Sequence, residues 1–279
     1  MNDHVILFCD CRANREQPEW KAVAGMLDTV RHSRIVTLSD LCGICAGKDP
    51  ELKTLAGEAR QILLVACRRR TVNLILHYYG IGHTNNIRLF NLLEDDLSLF
   101  GTVLAEFEQA APERVSGNGT ETGDPASTTG NPLNQVLDQH DPSWPSWYPV
   151  IDETRCNGCG QCADFCLFGV YRKAAGRVGV VQPRNCKNNC PACARICPRV
   201  AIVFPKFTGG GAIGGSDRVD ETAELQRLQK DTETILGSDI YQTLEQRKRK
   251  RQSILREEAL NTAEKERIQA LREAGTGPE

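Results

Sequence analysis

Eight cysteines fall in two short blocks, RCNGCGQCADFC (Arg155 to Cys166) and NCKNNCPACARICP (Asn185 to Pro198), and they restrict the fold of this chain more than any other feature. The first block reads C-x2-C-x2-C-x3-C at Cys156, Cys159, Cys162 and Cys166; the second nearly repeats it at Cys186, Cys190, Cys193 and Cys197. Three thiolates two residues apart curl a loop so that their sulfurs meet three corners of one iron–sulfur cubane, and the fourth serves the neighbouring cluster. That rule assigns Cys156, Cys159, Cys162 and Cys197 to one [4Fe–4S] cluster, and Cys186, Cys190, Cys193 and Cys166 to a second. Structural zinc sites use two separated cysteine pairs rather than four thiols within eleven residues.

The flanking residues extend the pattern. YPVIDETRC precedes the first block and CPRVAIVF closes the second, so that residues from about Tyr148 to Lys206 resemble the two-cluster bacterial-type ferredoxins. The resemblance implies an α+β domain whose two clusters pass single electrons. Two departures stand out. Cys166 is followed by Leu167 where the family has proline, although Pro198 after Cys197 is kept; and the second block opens C-x3-C, so one residue of CKNNC has to bulge. Ala163, Phe165, Leu167, Phe168, Val170, Ala192, Ile196, Val200 and Ile202 are interleaved with the thiols and are expected to lower the dielectric around the clusters.

A chain of 279 residues has room for about two domains. Its net charge of −2 gives no reason to expect nucleic acid as a partner. No apolar run approaches the ~20 residues of a membrane helix, and the start MNDHVILFCDCR lacks a signal peptide's pattern. The expectation is a cytoplasmic protein without membrane insertion, in a compartment where dense cysteines signal metal or redox chemistry rather than disulfides.

Residues 1–110 read as an α/β domain with a small parallel sheet. HVILFC (His4 to Cys9), SRIVTL and RQILLVAC are short apolar, β-branched runs; helix-like stretches at Pro18 to Arg31 and Pro50 to Arg60 lie between them, and a closing helix follows at Leu92 to Glu108. Cys9, Cys11, Cys42 and Cys67 then fall at or just past the carboxyl ends of three strands, where open α/β sheets bind ligands. The segments FCDCRAN, LCGICAGKDPELKTLAGEA, ILLVACRRRTVNLILHYYGI and NNIRLFN are similar to the amino-terminal domain of the heterodisulfide reductase A subunit, although Arg12 replaces a usual glycine and Arg68-Arg69 a usual Ser-Pro. The resemblance covers about residues 4–92 and implies a third [4Fe–4S] cluster on Cys9, Cys11, Cys42 and Cys67, leaving Cys45 over. From the residues alone, zinc on four of these five thiols or a redox-active Cys42–Cys45 pair remains open. Beside Cys67, the run Arg68, Arg69, Arg70 reads as a solvated helix start, as charge compensation for a cluster or as a face for an acidic partner.

Residues 111–146 are rich in Gly, Ser, Thr, Pro and Asn and read as a flexible linker that lets one module shuttle; residues 147–207 form the two-cluster domain. Residues 208–279 read as a glycine hinge followed by a charged helical tail, with Gly237-Ser238 as a stop and new cap. GGGAIG (Gly209 to Gly214) matches a dinucleotide-binding spacing, but no βαβ unit follows it. RKRKR (Arg247 to Arg251) lies among glutamates and reads as a solvated or docking face. No nucleophile–base pair is recognisable. The chain is therefore expected to be an electron carrier or oxidoreductase subunit, possessing no catalytic residues of its own and acting with redox partner proteins. The alternatives are a reductase whose amino-terminal thiols act on a disulfide or thiol substrate, and a redox-sensing iron–sulfur protein.

Overall fold

The computed structural model describes residues 4–82, 85–111, 134–139 and 141–236, with isolated positions 245, 246, 249, 265, 266 and 269. The amino-terminal half alternates strand and helix. The strands are β1 (His4–Cys9), β2 (Arg34–Leu38), β3 (Gln61–Ala66) and β4 (Ile87–Asn91); the helices are α1 (Pro18–Leu27), α2 (Leu41–Gly47), α3 (Pro50–Glu58), α4 (Arg69–Tyr79) and α5 (Phe100–Gln109). A fifth strand, β5 (Asn134–Leu137), completes a sheet of order β4-β3-β1-β2-β5 in which every neighbouring pair is parallel.

Strand side chains alternate between two buried faces, as expected for a parallel sheet covered on both sides. Val5 and Leu7 pack with Leu41 and Ile44 of α2, Leu52 and Leu55 of α3, and Val72 and Ile75 of α4. On the other face Ile6 and Phe8 pack with Trp20 and Val23 of α1 and with Phe100 and Leu104 of α5. Pro18 opens α1 and Pro50 opens α3, positions where a missing N–H costs no helical hydrogen bond.

The second half is built from short pieces: β6 (Val150–Ile151), α6 (Gln161–Phe165), β7 (Tyr171–Ala174), β8 (Arg177–Val180), α7 (Ala192–Arg195) and β9 (Ile202–Val203). β6 pairs antiparallel with β9, which brings the run before the first cysteine block beside the run after the second. β7 and β8 form a hairpin between the blocks. A final helix, α8 (Glu221–Leu236), opens the charged tail. Gly237-Ser238 and most of RKRKR lie outside the described residues; within that run Arg249 pairs with Glu245 one turn away, at 3.3 Å.

Three sequence expectations need correction. The segment assigned to a linker supplies β5 and then crosses over α2, where Ser146 Oγ donates to Gln139 Oε1 at 2.9 Å and a side chain in place of Gly43 would strike both residues. The two halves are packed together rather than loosely tethered. Tyr148 and Val150 belong to the same core as β1, and the Tyr148 hydroxyl donates to the Cys42 carbonyl at 2.8 Å. Finally, the glycine-rich turn is a fastener and not a hinge. Ala212 and Ile213 are buried, Phe204 N donates to Ile213 O at 2.7 Å, and the Thr71 hydroxyl of α4 donates to Gly214 O at 3.2 Å. Gly215 at φ 80° lies so close to Thr71 that a side chain would have no space.

Candidate metal centres

The two cysteine blocks fold as tight loops that bury Cys162 and Cys193, leave Cys159 exposed and half-bury the other thiols. In the first, Gly158 and Gly160 adopt φ 74° and 79°, so the chain turns between Cys156, Cys159 and Cys162 in a left-handed conformation that costs glycine little. In the second, the extra residue of CKNNC is taken up by an exposed turn in which Cys190 N donates to Lys187 O at 3.2 Å and Asn189 sits at φ 58°. Asparagine tolerates that region better than most side chains, so the bulge leaves the thiols on the inside.

The thiols then sort across the blocks. Cys162 has Cys197, Cys156 and Cys159 as electrostatic neighbours, and Cys197 has Cys159 and Cys156. Cys186 neighbours Cys166 and Cys190, and Cys193 neighbours Cys186, Cys162 and Cys166. Cys166, Cys186, Cys190 and Cys193 line one hollow of about 190 Å³, walled by Phe165, Leu167, Phe168, Val170 and Tyr171. Burial, with the neighbouring thiols adding to it, pushes Cys162 and Cys186 up to about 12. Such thiols would give up their protons on ligating a metal, which the iron of a cluster would supply. Tyr171 Oη donates to Cys193 Sγ at 3.0 Å and Ala201 N to Cys197 Sγ at 3.4 Å, the kind of contact that tunes a cluster's potential.

At the carboxyl edge of the parallel sheet a third thiol group assembles. Cys9 ends β1, Cys67 follows β3, and Cys42 is the second residue of α2. Cys11 is an electrostatic neighbour of Cys9, Cys42 and Cys67, and Cys67 is one of Cys42. A hydrogen bond between the Cys9 and Cys11 thiols raises Cys9 and lowers Cys11. Asn14 Nδ2 also points to Cys11 Sγ at 3.6 Å, so the asparagine of C-x-C-x-x-N closes its own turn. Cys45 stands apart: it is fully buried, its charged neighbours are Asp40 and Lys53, and Tyr78, Tyr79 and Tyr148 adjoin it. Among the described residues no three His, Cys, Asp or Glu side chains close on a single-ion site, whereas a cubane takes each thiolate on its own iron and spaces them wider.

The arginine run beside Cys67 offers the Arg68 backbone to that thiol, while its guanidinium groups pair with acids. Arg68 pairs with Glu94 at 3.7 Å, Arg69 with Asp95 at 3.3 Å and Asp217 at 3.5 Å, and Arg70 with Asp152 at 3.1 Å. Among the described residues, a lysine from the second half neighbours the amino-terminal thiols: Lys206, four residues past Ile202 of β9, whose Nζ donates to Asp40 Oδ1 at 3.0 Å. Sequence reasoning missed it; the one signal was a lysine set in the otherwise apolar run VFPKF.

Comparisons with known proteins bear on the second half of the chain. The family described as 4Fe-4S dicluster domain matches residues 148–220. An uncharacterized ferredoxin of Methanocaldococcus jannaschii is 48% identical over 61 residues, which is 22% of this chain and 42% of that relative. Ferredoxin-3 of a Nostoc species is 34% identical over 73 residues, 20% of this chain and 74% of that relative. The chain thus spans less than half the length of the first relative and about three quarters of the second. No solved structure matches. No described helix is long and apolar enough to cross a membrane. Through residues 148–220, with two [4Fe–4S] clusters, the chain belongs to the ferredoxins.

Proposed function

We propose that this protein relays single electrons between partner oxidoreductases through three [4Fe–4S] clusters, as a subunit of a heterodisulfide-reductase-like complex. Cys156, Cys159, Cys162 and Cys197 hold the first cluster, Cys166, Cys186, Cys190 and Cys193 the second, and Cys9, Cys11, Cys42 and Cys67 the third. Residues 1–110 with β5 act as an α/β domain, 147–207 as a dicluster domain, and 208–279 as a fastened turn followed by a helical tail. The clusters supply reversible one-electron chemistry; the chain buries them, donates hydrogen bonds to their thiolates and fixes their spacing.

The observation that carries this reading is the position of Cys186, which packs against both the amino-terminal core and the core of the dicluster domain. A thiol of the second group therefore lies on the boundary between the two halves of the chain. Cys9, Cys11 and Cys42 are buried, which favours cluster ligation over attack on a disulfide substrate, since reactive cysteines need access. Iron and sulfide analysis of the anaerobically purified chain, with paramagnetic resonance after reduction, tests it. About twelve irons per chain and three reversibly reducible centres are expected. Cys45→Ser keeps all twelve, whereas Cys67→Ser loses about four; eight irons in the unaltered chain would sink the third cluster.

The dicluster domain carries nine Lys and Arg against three Asp and Glu between residues 147 and 207, although the whole chain is net −2. Leu167 and Phe168, 60% and 42% exposed, wall the hollow of the second thiol group. An apolar contact beside a cluster within a basic domain suits a partner with an acidic docking face. Electron transfer to an acidic flavodoxin, followed by stopped flow, is expected to slow about tenfold or more between 50 and 500 mM salt, roughly what screening of a steered encounter produces. A rate indifferent to salt would remove the electrostatic part of this reading.

A further inference from the structure

One buried cation crosses from the dicluster domain into the amino-terminal thiol group. Lys206 leaves the main chain just beyond β9, and its side chain and that of Asp40 are only 11% and 9% exposed. Asp40 caps α2, accepting from Cys42 N at 3.0 Å and Gly43 N at 3.4 Å, so the ion pair sits at the root of the helix that presents Cys42. Burial by itself would discharge the ammonium. The surrounding thiols and the Asp40 carboxylate at 3.0 Å outweigh it and keep the charge. The ammonium is thus held on the same carboxylate oxygen that accepts the Cys42 N–H. The side chains of Arg68, Arg69 and Arg70 pair with Glu94, Asp95, Asp217 and Asp152 instead, none of which caps the helix that presents Cys42.

We propose that Lys206 is the positioning residue of the amino-terminal iron–sulfur site, supplied by the dicluster domain, and that its charge sets how readily that site is reduced. The proposal rests on the three-cluster reading. One-electron reduction of the site makes and breaks no bond in the chain; the electron comes from a redox partner and adds one negative charge to a site already anionic from four thiolates. A fixed cation in a dry setting favours that added charge. Because the cation belongs to the dicluster domain, contact between the two halves is what gives the third site its potential.

The test uses the full chain, purified anaerobically, as Lys206→Met and Lys206→Arg. Potentials come from titration with dithionite, read by paramagnetic resonance, and iron is counted in each variant. In Lys206→Met the two dicluster potentials stay put, while the amino-terminal site becomes harder to reduce by tenfold or more in its equilibrium, which is 59 mV or more for one electron. Lys206→Arg restores at least half of that shift. If Lys206→Met does not load the third site at all, loading by Lys206→Arg with near-native potential supports the assignment, and failure of both variants to load overturns it. Twelve irons in Lys206→Met with an unmoved amino-terminal potential overturns it too. Eight irons in the unaltered chain overturns the three-cluster reading itself, a result distinct from the others.

Discussion

Cys166→Ala is expected to remove the second cluster and spare the first, although Cys166 belongs to the same twelve-residue block as three ligands of the first. About four irons per chain are lost, and the surviving centres keep their resonance spectra and potentials. The reason lies in the short helix α6. It holds Cys162 against Cys156, Cys159 and Cys197, and it ends at Phe165, after which Cys166 adopts an extended backbone, φ −69° and ψ 120°. There its thiol joins Cys186, Cys190 and Cys193 around the 190 Å³ hollow. Cys197, which follows α7, makes the reciprocal exchange, with Cys156 and Cys159 as neighbours. Cys197→Ala should therefore remove the first cluster and leave the second. Metal analysis with paramagnetic resonance on both variants decides the matter: if Cys166→Ala removes the centre that Cys197→Ala also removes, the crossed ligation is wrong.

How much of this was legible beforehand depends on the distance over which each feature is encoded. The quartets are local: loops of two or three residues fix which way each sulfur turns, so Cys156 to Cys166 can be read almost ligand by ligand. The parallel sheet is legible for a related reason, because His4–Cys9 and Gln61–Ala66 are unbroken apolar runs. β5 is not, since an edge strand of four residues needs only a backbone ladder, and turn-forming residues surround it. The glycine run 209–215 misleads because its composition suggests freedom, whereas the buried pair Ala212 and Ile213 decides its role. The contacts that join the two halves are the least legible. Arg70 meets Asp152 across 82 residues and Lys206 meets Asp40 across 166, and no periodicity links such positions. The arginine run shows the same limit: its charge was visible beside Cys67, but its acidic partners, one of them Asp217, were not.

Those long-range pairs lead to the largest expected effect on stability, at Arg70→Met. Arg70 and Asp152 are 12% and 9% exposed, and the guanidinium reaches Asp152 Oδ2 through Nε at 3.3 Å and Nη2 at 3.1 Å. Oδ1 of the same carboxylate is held by the Thr154 N–H at 3.2 Å and the Thr154 hydroxyl at 2.6 Å. Methionine fills much of the arginine's volume but strands Oδ2 without a donor, and it also gives up the contact from Nη2 to the Val200 carbonyl at 3.4 Å. Removing one partner of a buried pair costs about 3–5 kcal/mol, because the charge left behind cannot be rehydrated. With a urea dependence of about 1–3 kcal/mol per molar, the unfolding midpoint should fall by one to several molar. Arg70→Met with Asp152→Asn should recover part of the loss, since the stranded group is then neutral. Lys173→Met, which breaks an exposed pair with Asp164, should cost under about 1 kcal/mol and serves as the control. If Arg70→Met moves the midpoint no further than Lys173→Met does, the two halves are not held together by this contact, and the route by which Lys206 reaches the amino-terminal thiols loses its anchor.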